Sequence, residues 1–312
     1  MKKIIISSAL VVIGLTTACK KEVIPTPNTN NSTALSSYHS QIVNQLKQNF
    51  TVDATLGGTI TGNKGTKVTI LPNGLKWSNG QTVTGYVNIE LVEIYDRGTM
   101  VLTDKPTMGI LPNGDLAPLV SGGEYYLKIT QNGTALNTNN GVYVQVPTAN
   151  PDTAMQLFDG ILDANANLTW DLTTDSINFN QDSLGSNYGF FDDAWGWTNV
   201  DRFYDDPRPK TTIKVQLPNG FDNTNANVYI TYDGEPTALA SMDVFTTDGY
   251  FSEHYGLIPI GLEIHVIAIA MIDGQLNYAI LPQTVDADEI MTIASFSPIS
   301  EAALVALIND LP

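Results

Sequence analysis

The side chains with the most chemical potential crowd into one stretch, Tyr188-Gly-Phe190-Phe191-Asp192-Asp193-Ala-Trp195-Gly-Trp197-Thr-Asn-Val-Asp201-Arg-Phe-Tyr204-Asp205-Asp206. An exposed indole stacks on the apolar C–H face of a sugar because it is flat and rigid. Trp195 and Trp197 alternate, so on a strand both point the same way; with Tyr204 they are the candidate ligand-binding residues. Burial at a domain junction is the competing reading, since tryptophan is highly buried on average. Asp192, Asp193, Asp201, Asp205 and Asp206 offer oxygen ligands, and a loose Ca2+ site there is the one cofactor the sequence leaves open. Asp163-Ala-Asn165-Ala-Asn167 starts like a calcium loop, but Leu168 stands where glycine is required and Thr174 where the closing glutamate belongs.

Catalytic patterns are missing. The three histidines, His39, His254 and His265, form no His-x-x-x-His zinc pair, and no serine sits in a Gly-x-Ser-x-Gly elbow. Neighbouring acids such as Asp205-Asp206 are expected by chance among 32 acidic residues, and glycoside hydrolysis needs two carboxylates held across a cleft rather than side by side in sequence. No catalytic or metal-binding residue is assigned, and the chain reads as a non-enzyme.

Cys19, the only cysteine, has a chemistry of its own. Met1-Lys2-Lys3 is basic, Ile4 to Leu15 is apolar, and Thr16-Thr17-Ala18 supplies small residues, the layout of a secretory signal peptide. The apolar run falls short of the ~20 residues that span a bilayer. The stretch resembles a bacterial lipoprotein signal, with Thr16 where leucine is usual and Leu15 one residue earlier. That resemblance implies cleavage before Cys19, acylation of its thiol and amine (palmitate included), and a membrane tether. Lys20 rather than Asp follows the cysteine, which implies the outer membrane, with exposure at the cell surface left open.

A single cysteine rules out internal disulfides and thiolate metal sites. The net charge is −17, and loss of Lys2 and Lys3 with residues 1–18 leaves about −19. Such a surface repels phosphate backbones, so nucleic acid is no partner.

The elements that must position these residues are mainly β. Residues 19–32 form a Pro/Asn-rich tether, and Leu35, Tyr38, Ile42 and Leu46 share one face of a helix over 33–50. Residues 51–148 alternate as strands (67–70, 83–94, 125–130) broken by Leu-Pro-Asn-Gly and Asn-Gly turns, which predicts a first Ig-like β-sandwich. Residues 149–206 lose all period and read as an Asp/Asn-rich aromatic connector. Residues 207–312 predict a second sandwich, with the apolar strand 262–271 at its centre and a C-terminal helix capped by Ser300.

GTKVTILPNGL (65–75), the 80–107 segment with VTGYVNIELVEI, and SGGEYYLKITQNGTAL (121–136) resemble a module of two-domain β-sandwich lipoproteins of Bacteroidota. It is distantly similar to the ZU5 and carboxypeptidase-regulatory families. The resemblance covers about a third of the chain and implies fold and location, with no catalytic residues. In that setting Asp152-Thr153-Ala154, Asp175-Ser176-Ile177 and Asp182-Ser183-Leu184 match an O-glycosylation pattern at Thr153, Ser176 and Ser183, with ordinary turn chemistry as the alternative. The expected function is a lipid-anchored, non-enzymatic envelope protein binding a polysaccharide or a protein. The alternative is a structural or assembly subunit of an outer-membrane complex, and a hydrolase with an unfamiliar site ranks last.

Overall fold

A computed structural model describes residues 32–138, 140–163, 167–182, 185–253 and 255–312. Cys19, Ser183 and His254 lie outside the described residues. Strand accounts for 51% of the described residues and helix for 11%, so the mainly β expectation holds. The arrangement differs from two sandwiches hung on a connector. Among the described residues the largest sheet has 13 strands and runs through both halves of the chain.

Its pivot is the strand Leu116–Gln131, whose middle reads Ser121-Gly122-Gly123. Gly123 has φ 135°, which a side chain rarely tolerates, and the paired strand shifts register between Asn199 and Asp201. The bend lets one strand serve two layers. Its C-terminal half pairs with Tyr86–Ile94. Its N-terminal half closes a five-stranded barrel with Met108–Ile110, Leu168–Leu172, Gln156–Leu162 and Gly196–Phe203. Three of those barrel strands come from the segment 149–206, so the expected connector is corrected. Its strands are short, and the long strand Leu116–Gln131 that closes the barrel with them lies far away in sequence, so no local period marked them.

Three cores result. Val87, Ile89 and Leu91 pack with Leu127 and Ile129 against Val68, Ile70, Val142, Val144 and Val146 of a separate five-stranded sheet. Val228, Ile230, Val266 and Ala268 pack against Val215, Phe251 and Met291 of a four-stranded sheet. Each of these pairs is a two-layer unit of the kind that strand alternation predicts. The third core lies on the other side of the 13-stranded sheet, where Tyr229, Ile267 and Ile269 meet three helices. Glu263–Ile272 is therefore covered on both faces, which is why its sequence reads as nearly unbroken apolar.

The helices are α1 (Ser32–Leu46), α2 (Arg97–Thr103) and α3 (Glu301–Asn309). The α1 helix stops before the expected residue 50, because Gln48–Asp53 instead pairs with Tyr86–Ile94. His39 on α1 is buried and its Nδ1 lies 2.8 Å from Leu102 O, since α2 packs on that face. Ser300 caps α3 as expected, accepting from Ala303 N at 3.4 Å.

Candidate functional site

The aromatic stretch singled out in the sequence is brought together only in part, and indoors. Gly196 has φ 143°, which turns the chain between the two tryptophans, so they do not share a face. Trp197 is 7% exposed inside the barrel with Phe158, Leu168 and Trp170, its ring 5.5 Å from Tyr126 and 5.8 Å from Lys105 Nζ. Gly160 leaves it room, as a Cβ there would collide with Trp197 Cβ. Trp195 is half-buried on the opposite side against the first core, with its Nε1 donating to Leu136 O. Tyr204 packs 4.8 Å from the Tyr232 ring and donates to Asp206 Oδ2 at 3.1 Å. Burial, then the neighbouring Asp206 carboxylate, push its phenol up to about 12. Packing therefore takes Trp197 out of reach of a sugar, while Trp195 and Tyr204 stay half-buried on different sides and form no common stacking face.

The acids separate as well. Asp192 is buried, accepts Tyr125 Oη–H at 2.7 Å, and is pushed by burial up to about 7. Asp201 is fully buried on the barrel side of its strand, takes Asn199 Nδ2–H at 2.6 Å, and sits well above the usual carboxylate range through burial. Glu124, whose Cα lies opposite Asn199, was not anticipated. It is fully buried with neither carboxylate oxygen hydrogen-bonded, and burial, then the Asp201 charge, hold it well above the usual range. Asp206 is tied instead to Arg208, Oδ2 to Nη2 at 2.5 Å, and Asp193 and Asp205 are exposed. Among the described residues no three His, Cys, Asp or Glu side chains are grouped to hold a metal ion. Thr153 and Ser176 are exposed.

A surface that sequence reasoning passed over has a more deliberate composition. The five-stranded sheet runs in the order Asn178–Asp182, Gly185–Phe191, Val142–Thr148, Lys67–Ile70, Gly58–Thr61. Its inward positions fill the first core, so the alternate positions face out. Pairing register sets them in rows. One row is Asn178, Gly189, Gln145, Lys67 and Thr61. A second is Phe191, Tyr143, Thr69 and Thr59, and a third is Asn180, Asn187 and Pro147. None of these carries a carboxylate, and the nearest acid in register, Asp182, is one row further out beside Gly185.

The face is also organised internally. Tyr143 reaches diagonally across the sheet over Gly189, where any Cβ would collide with its Oη. Asn180 Nδ2 donates to that Oη at 3.4 Å, and the Phe191 ring meets Tyr143 edge-on at 5.1 Å and 62°. Asn187 Oδ1 accepts from Gln145 Nε2 at 3.2 Å and from Asn180 Nδ2 at 3.3 Å. Thr59 and Thr69 share a hydroxyl hydrogen bond of 2.8 Å. Gln145 Oε1 and Asn187 Nδ2 take no part in these bonds and can serve a ligand's hydroxyls. The alternation in residues 67–70 and 142–146 was the signal for this face; which strands lie beside them was not readable.

Two surface grooves flank α1. The larger, about 750 Å³, runs between α1, the turn at Gly274 and the start of α3. Neither groove is lined by histidine or aspartate. A scan against protein-family models finds none that matches this chain, and a search of curated proteins finds no significant match.

Proposed function

We propose that this chain is a lipid-anchored, non-enzymatic protein of the bacterial cell envelope that holds a ligand on the outer face of its five-stranded sheet. The observation that carries the binding role is the make-up of that face. In a chain with 32 acidic residues and a net charge of −17, three adjoining rows hold amides, hydroxyls, two aromatic rings and one lysine, and no carboxylate. The anchor rests on Cys19 and the apolar run before it, and an outer-membrane location on Lys20. The motifs at 65–75, 80–107 and 121–136 support kinship with two-domain β-sandwich lipoproteins of Bacteroidota. The two-layer packing at each end of the large sheet supports reading the chain as two Ig-like sandwich units fused along it.

A non-enzymatic role fits the placement of the perturbed acids, because Glu124 and Asp201 face a filled barrel rather than a cleft. A second reading, an assembly subunit docked to a membrane complex, draws on Ile161, Leu162 and Leu172, which are 44%, 52% and 40% exposed on the two strands of the barrel hairpin.

Growth with an alkyne-tagged palmitate, followed by fractionation, tests the anchor. Wild type takes up the label and sediments with membranes, and Cys19→Ala does neither. A labelled Cys19→Ala, or an unlabelled soluble wild type, overturns it.

A further inference from the structure

The outer face of the five-stranded sheet has the parts of a carbohydrate subsite, and we infer that it binds a neutral polysaccharide, with a pyranose ring stacked on Tyr143. The inference rests on the binding role given above and names its ligand class and its central residue.

Three observations converge on Tyr143. Its ring lies across Gly189, the one position in its row without a side chain, so the aromatic face is laid over the sheet rather than standing up from it. Two contacts hold it there, the Asn180 amide on its Oη and the edge of Phe191 on its flank. A ring fixed before binding loses little entropy on stacking, and pre-organisation of this kind raises affinity without adding contacts. Amides then frame the ring. Gln145 and Asn187 are joined to each other yet keep an acceptor and a donor out of that bond. Sugar hydroxyls need such donor–acceptor pairs, while their C–H faces need the aromatic surface.

The charge pattern selects among glycans. A polyanionic chain approaches against the field of a protein with net charge −17 and finds only Lys67 on this face. An uncharged chain meets no such barrier, and no carboxylate in these rows is left to be desolvated without a partner. Adjacent strands lie ~4.8 Å apart, so the row from Asn178 to Thr61 crosses five strands and spans roughly 19 Å, long enough for several linked sugar rings. Phe191, 45% exposed beside Tyr143, extends the apolar floor along the second row.

The test is affinity electrophoresis of the purified chain in native gels. One set of gels contains a neutral glucan, xylan or mannan, and the other contains alginate as the polyanion. Retardation by at least one neutral polymer and none by alginate is expected. Tyr143→Ala should weaken the neutral interaction about tenfold, and Gly189→Ala should do the same by driving the ring off its seat. Tyr143→Phe keeps the ring and should lose much less. Thermal melting accompanies each variant, so that a misfolded protein is recognised; Tyr143→Phe and Phe191→Ala report on the site if Gly189→Ala fails to fold. Trp195→Phe is the control expected to leave retardation unchanged. Retardation by alginate alone, by no polymer, or equally for wild type and a folded Tyr143→Ala overturns the carbohydrate assignment. So does capture of a protein partner through Tyr143 with no glycan bound, an outcome that keeps the anchored binding role intact. Failure of palmitate labelling, by contrast, strikes the anchor and leaves this site standing.

Discussion

Trp197 shows how a residue of the right type is taken over by packing. Its neighbours Phe158, Leu168 and Trp170 fill the barrel, and Gly160 exists to admit it. Removing such a side chain leaves a cavity, so Trp197→Ala should cost about 3–5 kcal/mol in denaturant unfolding, with any ligand effect following from the lost fold. A stable Trp197→Ala that has lost only ligand binding would return the tryptophan to the surface role that its spacing first suggested. Sequence could not decide this, because the turn at Gly196 that parts the two indoles needs only a glycine, and the chain has 25. Cys19, by contrast, was conspicuous because its context is local in sequence. Tyr143 carried no mark at all: its meaning comes from Gly189, 46 residues away and brought opposite Gln145 by strand pairing.

Among the elements, the short helix α2 was missed and turns out to tie the chain's end to its middle. Asp96 caps it, accepting Thr99 N–H at 2.9 Å, and Asn309 of α3 donates to the same carboxylate at 3.0 Å. Burial raises the Asp96 carboxyl, but the bonds from Asn309 and Thr99 outweigh it and leave the group below its usual range. Arg97, 1% exposed, donates to Leu311 O at 2.7 Å and Pro312 O at 3.1 Å. Gly98 lets α3 approach so closely that a Cβ would stand 2.7 Å from Val305 Cα. Arg97→Ala should therefore cost about 2–3 kcal/mol and speed hydrogen exchange in α2 and α3 before the rest of the molecule. Unchanged exchange in α3 would show that the guanidinium does not hold the end. The strands with clean alternation, 67–70 and 86–94, were legible, as was the capped α3; the barrel strands 156–162, 168–172 and 196–203 were not, because barrel closure rather than a solvent-exposed pleat dictates their side chains.

For the whole molecule, the buried acids make an unusual pH dependence. Burial raises Glu124, Asp201, Asp192 and Glu253 alike, the last two to about 7. A carboxyl with a raised folded pKa stabilises the fold fully below the unfolded pKa near 4, and that contribution is lost as pH rises towards the folded value. Each group removes about 1.4 kcal/mol per pH unit across its window, which for Asp192 and Glu253 runs from about 4 to about 7. Asp152, held down by the Ala154 N–H and by Arg202, works in the opposite sense only below about pH 4. The melting temperature should be higher at pH 5 than at pH 8. Glu124→Gln should gain stability relative to wild type as pH rises above the unfolded carboxyl range near 4, because burial raises the Glu124 carboxyl in the fold. A melting temperature that climbs steadily to pH 8 would mean these carboxyls are ionised in the fold.

The central claim is that ligand contact belongs to an outer sheet face and not to the aromatic stretch at 195–204. Hydrogen–deuterium exchange with and without a saturating neutral polysaccharide tests it most directly. Slowed exchange concentrated in Val142–Thr148 and Gly185–Phe191, with 195–204 unaltered, is the predicted result. Protection confined to 195–204, or no protection on the five-stranded sheet, would contradict it.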